Sequence, residues 1–381
     1  MTRRALLFIF AAGVLLALSL ALSNALYYFL ALTMAFVLLY SFVSALFSFL
    51  TLSALSRALS TSVTRGDTVR LSLAARQKSP LPVAPIAAGY RFGSATGEAA
   101  LKSGCFSADE TVVTFSARHV GAFKTGLSAV SVSDLFGLFR FTKRFGDADT
   151  VLVLPRPFEI DKPTFCQGDE GNAALLRTQE DFTSPEDVRA FRPGDAMKRV
   201  HWKLSMARRE LLVRKYETPA PPDTLIILDC SEAENQEDEE KNAAVRDALC
   251  ETAVAAARLQ MADGSPVRLP LYGERANEFS SDGAGNLTLL QEMLAAQTFR
   301  RGEDFSRVLS MELKRMRRTG ATIIITTRLT AQVVDAVISI RRMGPSARLY
   351  LVGFSFDKEE TQPFVARLQH HLVEVCYVTP A

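Results

Sequence analysis

Two uncharged, apolar runs open the chain. The first extends from Ala5 to Leu22 and the second from Ala25 to Leu55, with only two residues between them. A helix rises about 1.5 Å per residue, so 18 residues nearly match the roughly 30 Å of a bilayer's hydrocarbon core. The pattern predicts a two-helix transmembrane anchor, joined by a very tight turn, over residues 1–56.

Arginines flank this hairpin on both sides. Arg3 and Arg4 precede it, and Arg57 and Arg65 follow it. Positive charge next to a span favours the cytoplasmic side of a membrane. We therefore expect a two-pass protein of the inner (cytoplasmic) membrane with most of the chain in the cytoplasm. A cleaved signal peptide is the alternative for the first run, but no small-residue cleavage site leads into a polar start.

Residues 57–157 alternate between apolar and polar positions in short runs. The stretches "DTVRLSLAARQ", "TVVTFSARH", "GLSAVSVSD" and "TVLVLPRP" have a period of two residues, with Gly, Pro, Asp and Ser between the runs. That period is typical of half-buried strands. Strands at this spacing predict a small antiparallel β-sandwich.

Residues 223–381 follow a different pattern, in which apolar strand-like runs alternate with helical segments. Strands are predicted at "DTLIILDCS", "ATIIITTR", "ARLYLVGF" and "LVEVCYVTP", and a long Ala-rich helix ends at Asp263-Gly264. This alternation predicts an α/β domain with a doubly wound, mostly parallel sheet. Ligands in such folds bind at the carboxyl ends of the strands.

The connecting segment, residues 158–222, contains the most unusual stretch of the chain. "RAFRPGDAMKRVHWKLSMARRELLVRKYE", residues 189–217, holds nine Lys and Arg and the only Trp, Trp202. Pro193 and Gly194 predict a turn, and Asp195 is placed to cap a short helix. Trp202 lies off the apolar face of that helix. It either packs against the β domain, which we favour, or faces a partner.

The charges of this stretch allow two interpretations. In one, the arginines form an internal ion network that fixes the geometry between domains. Its members would be Arg189, Arg192, Arg208 and Arg214 with Asp187, Asp195 and Glu217. In the other, the basic side chains bind an anionic partner. A net charge of +3 for the whole chain argues against a general nucleic-acid binder, so only the local charge matters.

One further stretch has the character of a site. In "LDCSEA", Asp229 ends the first predicted strand of the α/β domain and Ser231 follows two residues later, an arrangement that suits a divalent cation such as Mg²⁺. Ala233 supplies no second hydroxyl, and "IIITT" ends its strand in Thr rather than Asp. The alternative is that Asp229 caps the next helix or closes a loop.

Other catalytic signatures are missing from the sequence. It contains no phosphate-binding loop, no His-Glu-x-x-His helix and no Gly-x-Ser-x-Gly elbow. The cysteines are scattered and never two residues apart, which predicts reduced and mostly buried thiols; they are Cys105, Cys166, Cys230, Cys250 and Cys376. We therefore expect that the protein is not an enzyme and that it needs no cofactor.

The basic stretch also resembles a known family. Arg189-x-Phe-x-Pro193-Gly194-Asp195, then Val200-His201-Trp202-Lys203, Ala207-Arg208 and Leu211 to Arg214, is similar to the signature of the bacterial "domain of unknown function" family number fifty-eight. The departures are Phe191, where Tyr is usual, and the incomplete Asp229-x-Ser231-x-Ala233. The resemblance implies a membrane anchor, a β-rich middle and a C-terminal domain like von Willebrand factor type A.

The resemblance also implies partners, namely a MoxR-type AAA+ ATPase and a transglutaminase-like membrane protein. We expect a non-catalytic scaffold or adaptor that binds protein partners. Binding of anionic lipid or nucleic acid through the basic stretch is one alternative, and divalent-metal-dependent binding at Asp229 and Ser231 is another. A nuclease using Asp187, Asp195 and Asp229 has no support from spacing. The residues expected to bind a partner or join the domains are Arg189, Arg192, Pro193, Gly194, Asp195, His201, Trp202, Lys203 and Arg208.

Overall fold

The computed structural model divides the chain into two compact units, Met1–Leu154 and Pro155–Ala381, here the N-terminal and C-terminal units. The residues that it describes are 2–22, 25–80, 84–102, 106, 108–146, 149–161, 185–193, 197–216, 222–232, 238–272, 276–282, 285–300, 304–316, 319–354, 356 and 358–380.

The N-terminal unit begins with two helices that pack against each other, α1 (Arg3–Leu22) and α2 (Ala25–Thr51). Both are long and apolar enough to cross a membrane. The uncharged run of the sequence extends to Leu55, but α2 already ends at Thr51. Residues 52–58 instead form a strand, in which the buried Leu52 and Ala54 alternate with the exposed Ser53 and Leu55, a period of two.

The rest of this unit consists of two sheets. The smaller is antiparallel, in the order β1-β3-β6, and the larger has the order β2-β9-β7-β4-β5 with β8 paired to β7. The larger sheet is mixed, because β2 and β9 run parallel whereas its other pairs are antiparallel. The strands are β1 (Leu52–Ala58), β2 (Ser62–Thr64), β3 (Thr68–Gln77), β4 (Ile86–Phe92), β5 (Ala95–Leu101), β6 (Ala108–Ser116), β7 (Gly121–Ser133), β8 (Arg140–Arg144) and β9 (Asp149–Leu154).

Both sheets contribute side chains to one buried cluster. Leu71 and Leu73 come from the smaller sheet, and Ile86 and Val130 from the larger. Each of these side chains is at most 1% exposed. Burial of such apolar surface at about 25 cal/mol per Å² is the main force that holds the sheets together.

The helical hairpin is joined to the sheets by polar contacts along one face of α2. Ser41, Ser44 and Ser48 are buried and spaced so that they share this face. Ser48 Oγ accepts a hydrogen bond from Gln77 Nε2 at 3.0 Å, and the Ser41 hydroxyl donates to the buried Asp134 carboxylate. These bonds satisfy hydroxyls that would otherwise be buried without partners.

Aromatic rings surround these polar contacts. Phe42 meets Phe139 edge-to-face with ring centroids 5.4 Å apart, and Phe49 lies 5.6 Å from Phe141. Ring pairs at these separations add about 0.5 to 1.5 kcal/mol each beyond their burial. The end of α2 is therefore packed against the β7–β8 region and is not a free tether.

The C-terminal unit is built on a six-stranded sheet in the order β14-β13-β12-β15-β16-β17. All neighbouring strands are parallel except β13 and β14. The strands are β12 (Asp223–Leu228), β13 (Val267–Leu271), β14 (Asn277–Ser281), β15 (Thr319–Thr326), β16 (Ser346–Val352) and β17 (Val373–Val378). The predicted α/β organisation is confirmed at this level.

Helices pack on this sheet and cover its apolar side chains. They are α4 (Glu239–Ala262), α5 (Leu287–Ala295), α6 (Phe305–Arg315), α7 (Ala331–Arg342) and α8 (Lys358–His370). Helices α6, α7 and α8 share a core with Leu225, Ile227, Ile324 and Leu349 of the strands, while α4 contacts β12, β15 and β16.

Short polar side chains fix where several of these helices begin. Asp238, Asn286, Asp304 and Thr330 each accept a hydrogen bond from a backbone N–H in the first turn of the helix that follows. A cap of this kind stabilises a helix by about 0.5 to 2 kcal/mol.

Candidate functional site

The basic stretch forms a small motif of its own within the C-terminal unit, here the motif segment, residues 185–216. It contains β10 (Pro185–Ala190), a 3-10 turn (Met197–Arg199), α3 (Trp202–Arg208) and β11 (Leu212–Tyr216). The two strands pair with each other and run antiparallel, and Val213 of β11 also forms an isolated bridge with Val200.

Hydrogen bonds cap α3 and hold it on this hairpin. His201 caps the helix, since its Nδ1 accepts from the Leu204 N–H at 3.2 Å, and its own N–H donates to the Leu212 carbonyl at 2.8 Å. The buried Ser205 Oγ accepts from the Leu212 N–H at 2.9 Å. The helix therefore begins at Trp202 with His201 as its cap, and a separate 3-10 turn over Met197–Arg199 precedes it. Asp195, which was expected to cap a short helix, lies outside the described residues.

The outward face of α3 is apolar. Trp202 is 55% exposed and Met206, one turn later, is 80% exposed. Met197 and Leu211, before and after the helix, are also exposed. Trp202 is thus exposed although Ser205, three residues later, is buried beside β11. The favoured packing of Trp202 against the β domain stays a prediction.

Basic side chains accompany this apolar face. Lys198, Lys203, Arg208 and Arg209 are exposed, as is the turn residue Pro193. Exposed apolar side chains and exposed cations therefore occur together along residues 197–211. This set is here named the apolar–basic patch, and its members are Met197, Trp202, Met206, Leu211, Lys198, Lys203, Arg208 and Arg209.

The predicted ion network falls partly outside the residues that the structure describes. Gly194, Asp195 and Glu217 lie outside them, as do the side chains of Asp187 and Arg214. Arg189 and Arg192 are exposed, and Arg189 Nη1 donates to the carbonyl of Ala190 at 3.2 Å. The network stays a prediction.

The second candidate site lies at the carboxyl end of β12. The Asp229 carboxylate is buried and accepts three hydrogen bonds. One oxygen binds the Ser231 N–H at 2.9 Å and the Ser231 hydroxyl at 2.5 Å, and the other binds the Thr326 hydroxyl at 2.7 Å. The bond to the Ser231 N–H closes the loop after the strand, which is the structural alternative that the sequence allowed.

Thr326 is the member of this site that sequence reasoning missed. Its strand β15 was noted only for lacking a terminal Asp, but parallel pairing places Thr326 beside the end of β12, and its hydroxyl reaches Asp229. Among the described residues, no group of three His, Cys, Asp or Glu side chains is arranged to hold a metal ion. One carboxylate and two hydroxyls are a sparse oxygen set for Mg²⁺, which would have to keep several waters.

A third polar cluster surrounds the fully buried side chain of Glu312 on α6. Its carboxylate accepts from Arg268 Nη1 at 3.1 Å, from Arg315 Nη1 at 2.7 Å and from the Tyr272 hydroxyl. Burial and the hydrogen bond to Glu312 raise the pKa of Tyr272. Because the charges are paired within the cluster, it links α6 to β13 and the residues after it rather than presenting a site.

Three thiols lie among the described residues. Cys230 and Cys250 are buried and outside any disulfide, and Cys376 is half-buried. Burial raises the pKa of the Cys250 thiol well above its ordinary value, which suppresses the nucleophilic thiolate. Cys105 and Cys166 lie outside the described residues.

Likenesses to solved structures are remote. The CARDB domain of a Pyrococcus furiosus protein, in complex with di-metal ions, is 9% identical, and the match covers 27% of this chain and 87% of that one with a TM-score of 0.20. The Pseudomonas fluorescens alkylpurine DNA glycosylase AlkC, bound to DNA containing an abasic site analogue, is 15% identical, with 32% and 34% covered and a TM-score of 0.20. Such scores carry no argument about fold or function. A search of the curated proteins gives no match.

The family comparison is informative. The model described as "Protein of unknown function DUF58" matches residues 187–369, from β10 to the last turn of α8. The match includes the apolar–basic patch, Asp229 and Thr326, so both candidate sites lie inside it. It also confirms the resemblance carried by Arg189, Trp202 and their neighbours. Over residues 187–369, this chain therefore carries a match to the DUF58 family.

Proposed function

We propose that this protein is a membrane-anchored, non-catalytic adaptor whose apolar–basic patch binds a protein partner. The hairpin of α1 and α2 would anchor it in the inner membrane by two passes, with both folded units in the cytoplasm. The arginines that flank the hairpin support this orientation.

The observation that carries the proposal is the outward position of Trp202 and Met206. Exposing two large apolar side chains on one helical face costs solubility unless a partner covers them. Trp is strongly enriched among residues that dominate binding energy at interfaces, and Met adapts its shape to the opposing surface. The patch lies within the family signature, which supports a role shared by the family.

The partner that we propose is a MoxR-type AAA+ ATPase, with a transglutaminase-like membrane protein as a further member of the assembly. Lys198, Lys203, Arg208 and Arg209 favour an acidic surface around an apolar groove on that partner. We further propose that the C-terminal domain is similar to von Willebrand factor type A and that the β domain is a sandwich.

The test uses the full chain in nanodiscs and the purified MoxR-type ATPase of the same organism, with and without a non-hydrolysable ATP analogue. We expect the pair Trp202→Ala and Met206→Ala to weaken binding at least tenfold, since two buried anchors would be lost. Met343→Ala is the matched control, because Met343 is 60% exposed in the same unit but lies far along the chain from the patch. Equal affinity of all variants would refute the proposal.

The exposed cations also support the alternative that the patch binds anionic lipid or nucleic acid. Such binding falls steeply with salt, and each Lys or Arg near a charged membrane contributes about 1 kcal/mol. Replacing Lys198, Lys203, Arg208 and Arg209 with Ser would then abolish binding to anionic vesicles or oligonucleotides without unfolding the protein. Binding that is insensitive to salt but lost in the Trp202→Ala variant would favour the adaptor instead.

Divalent-metal-dependent binding at Asp229 is the remaining candidate, favoured by the convergence of the Ser231 and Thr326 hydroxyls on one carboxylate. A calorimetric titration with Mg²⁺ or Mn²⁺ tests it. Heat that is present in the wild type and absent in Asp229→Ala would support a cation site, whereas equal traces would leave Asp229 as a loop-closing residue.

A further inference from the structure

The "DLFGLF" corner, residues 134–139, carries the most exposed apolar side chains of the β7–β8 connection. Leu135 is 57% exposed and Phe136 is 49% exposed, while Leu138 is buried. The corner is rigidly built, because Asp134 accepts hydrogen bonds from the N–H groups of Phe136 at 3.0 Å and Phe139 at 2.6 Å. Two large apolar residues are thus held outward by a fixed turn.

The corner lies at the open end of the helical hairpin. Thr2 lies immediately before α1. Its N–H donates to the Leu138 carbonyl at 3.1 Å, and its hydroxyl donates to the Gly137 carbonyl at 2.9 Å. On the other helix, the Ser41 hydroxyl donates to Asp134. Both helices therefore contact the corner, at a level close to Arg3 and Arg4 at the start of α1.

The depth of this point follows from the lengths of the helices. The uncharged part of α1 begins at Ala5, so Arg3 and Arg4 mark the headgroup level when the hairpin spans a bilayer. α1 ends at Leu22 and α2 begins at Ala25, so in an antiparallel hairpin Ser41 lies roughly opposite residue 6. The corner is consequently fixed at the border between acyl chains and headgroups.

The final turns of α2 support this placement. Its 27 residues extend about 40 Å, which exceeds the roughly 30 Å of hydrocarbon. Beyond Ser41 an exposed apolar stripe continues on the side away from the serines, formed by Val43, Phe47 and Leu50. Apolar side chains therefore continue into the headgroup zone on more than one element.

We propose that the corner is a membrane-insertion loop, in which Leu135 and Phe136 enter the boundary of the lipid leaflet beside the hairpin. This inference rests on the proposed membrane anchoring. It adds a second contact between the β-rich part of the chain and the bilayer. Amphipathic elements that bury apolar side chains at this depth bind membranes without spanning them.

Tryptophan fluorescence in vesicles tests the insertion. In a Trp202→Phe background the chain has no other Trp, so Phe136→Trp reports only the corner. Val112→Trp is the matched control, because Val112 is also 49% exposed. Val112 pairs with Ser72, and Ser72 pairs in turn with Arg57, which lies six residues beyond the end of α2. Phosphatidylcholine–phosphatidylglycerol vesicles carry quenchers on the acyl chain, either near the headgroup or near the bilayer centre.

We expect the emission of the Phe136→Trp variant to shift to shorter wavelength when vesicles are added. The quencher near the headgroup should quench this emission at least twice as strongly as that of the Val112→Trp variant. The quencher near the bilayer centre should quench it less than the quencher near the headgroup does. Leu135→Trp is measured in parallel, so that a misfolded single variant does not decide the result. Strong quenching of both corner variants by aqueous iodide, without lipid quenching, would overturn the insertion.

Extraction at alkaline pH separates this inference from the anchoring itself. If the protein stays in the membrane fraction while the corner Trp is quenched only by iodide, the insertion fails and the anchor stands. If the protein is extracted, the anchoring fails and the insertion fails with it.

Discussion

Single side chains decide how the motif segment is held together. Ser205 is the clearest case, because its hydroxyl is buried and its oxygen is within hydrogen-bonding distance of the Leu212 N–H. Removing one partner of a buried hydrogen bond leaves the other unsatisfied, which is more costly than losing the bond in water. The bond joins α3 to β11 and so fixes which side of the helix faces that strand.

Ser205→Ala should therefore loosen α3. We expect a local loss of about 1 to 3 kcal/mol, seen as faster amide hydrogen exchange in peptides covering residues 210–216. Ser310→Ala is the control, because the Ser310 hydroxyl is exposed and donates to the Ser306 carbonyl within its own helix. Unchanged exchange at Leu212 would show that the hydroxyl contributes nothing to holding the helix.

Tyr350 gives a pH-dependent prediction at the same scale. Burial raises its pKa to about 12, an effect that the guanidinium of Arg348 partly offsets. In the unfolded chain Tyr titrates near 10, so the unfolded state loses its proton first as the pH rises. The contribution of protonated Tyr350 to the stability of the folded state is therefore complete below about pH 10, and it is lost as the pH rises towards 12.

Tyr350→Phe removes this titration. We expect the free energy of unfolding, measured with urea, to fall less steeply between pH 9 and about 11.5 in the variant than in the wild type. Tyr377→Phe serves as the control, because Tyr377 is 52% exposed. Parallel curves for wild type and Tyr350→Phe would contradict the assignment.

Ion pairs connect neighbouring elements in the C-terminal unit, and their strength depends on burial. Glu312 of α6 is fully buried and pairs with Arg268 of β13, whereas Asp335 of α7 and Arg367 of α8 form a 2.6 Å pair with both side chains exposed. Exposed pairs are typically worth up to about 1 kcal/mol, while breaking a buried one leaves an uncompensated charge.

Glu312→Ala should accordingly destabilise the unit by about 3 kcal/mol, because Arg268 would lose one of its carboxylate partners in a largely buried position. Asp335→Ala should cost less than about 1 kcal/mol. Urea unfolding of the full chain in detergent measures both. Equal losses of unfolding free energy in the two variants would contradict the special cost that we assign to breaking the buried pair.

Sequence patterns predicted some elements well and others poorly, for physical reasons. The strands of the C-terminal sheet are continuous apolar runs buried on both faces, so β12 and β15 were found with small errors at their ends. Strand β1 was missed, because its side chains extend the uncharged run of α2 and only their alternation marks the change. Thr326 was missed as a partner of Asp229, since that contact depends on strand order, which no local pattern contains.

At the scale of the whole molecule, the hairpin should place both folded units on one side of the membrane. Fusing a fluorescent protein after residue 381 should give a folded, cytoplasmic fluorophore, while fused alkaline phosphatase should be inactive. Replacing Arg3, Arg4, Arg57 and Arg65 with Ser should reduce the preference for that orientation, since flanking positive charge sets it. Active phosphatase on the wild-type fusion would show the opposite topology.

The direct passage from α2 into β1 has a consequence for how this chain can vary in length. Ser48 binds Gln77 on the helical side of the junction, and Leu52 pairs with Gln77 on the strand side. One inserted residue would rotate the helix by about 100° and turn every later side chain of the strand to the opposite face. Because periods of 3.6 and 2 residues meet here without a loop, insertions and deletions between residues 48 and 52 should be rejected, whereas substitutions that keep side-chain size should be accepted.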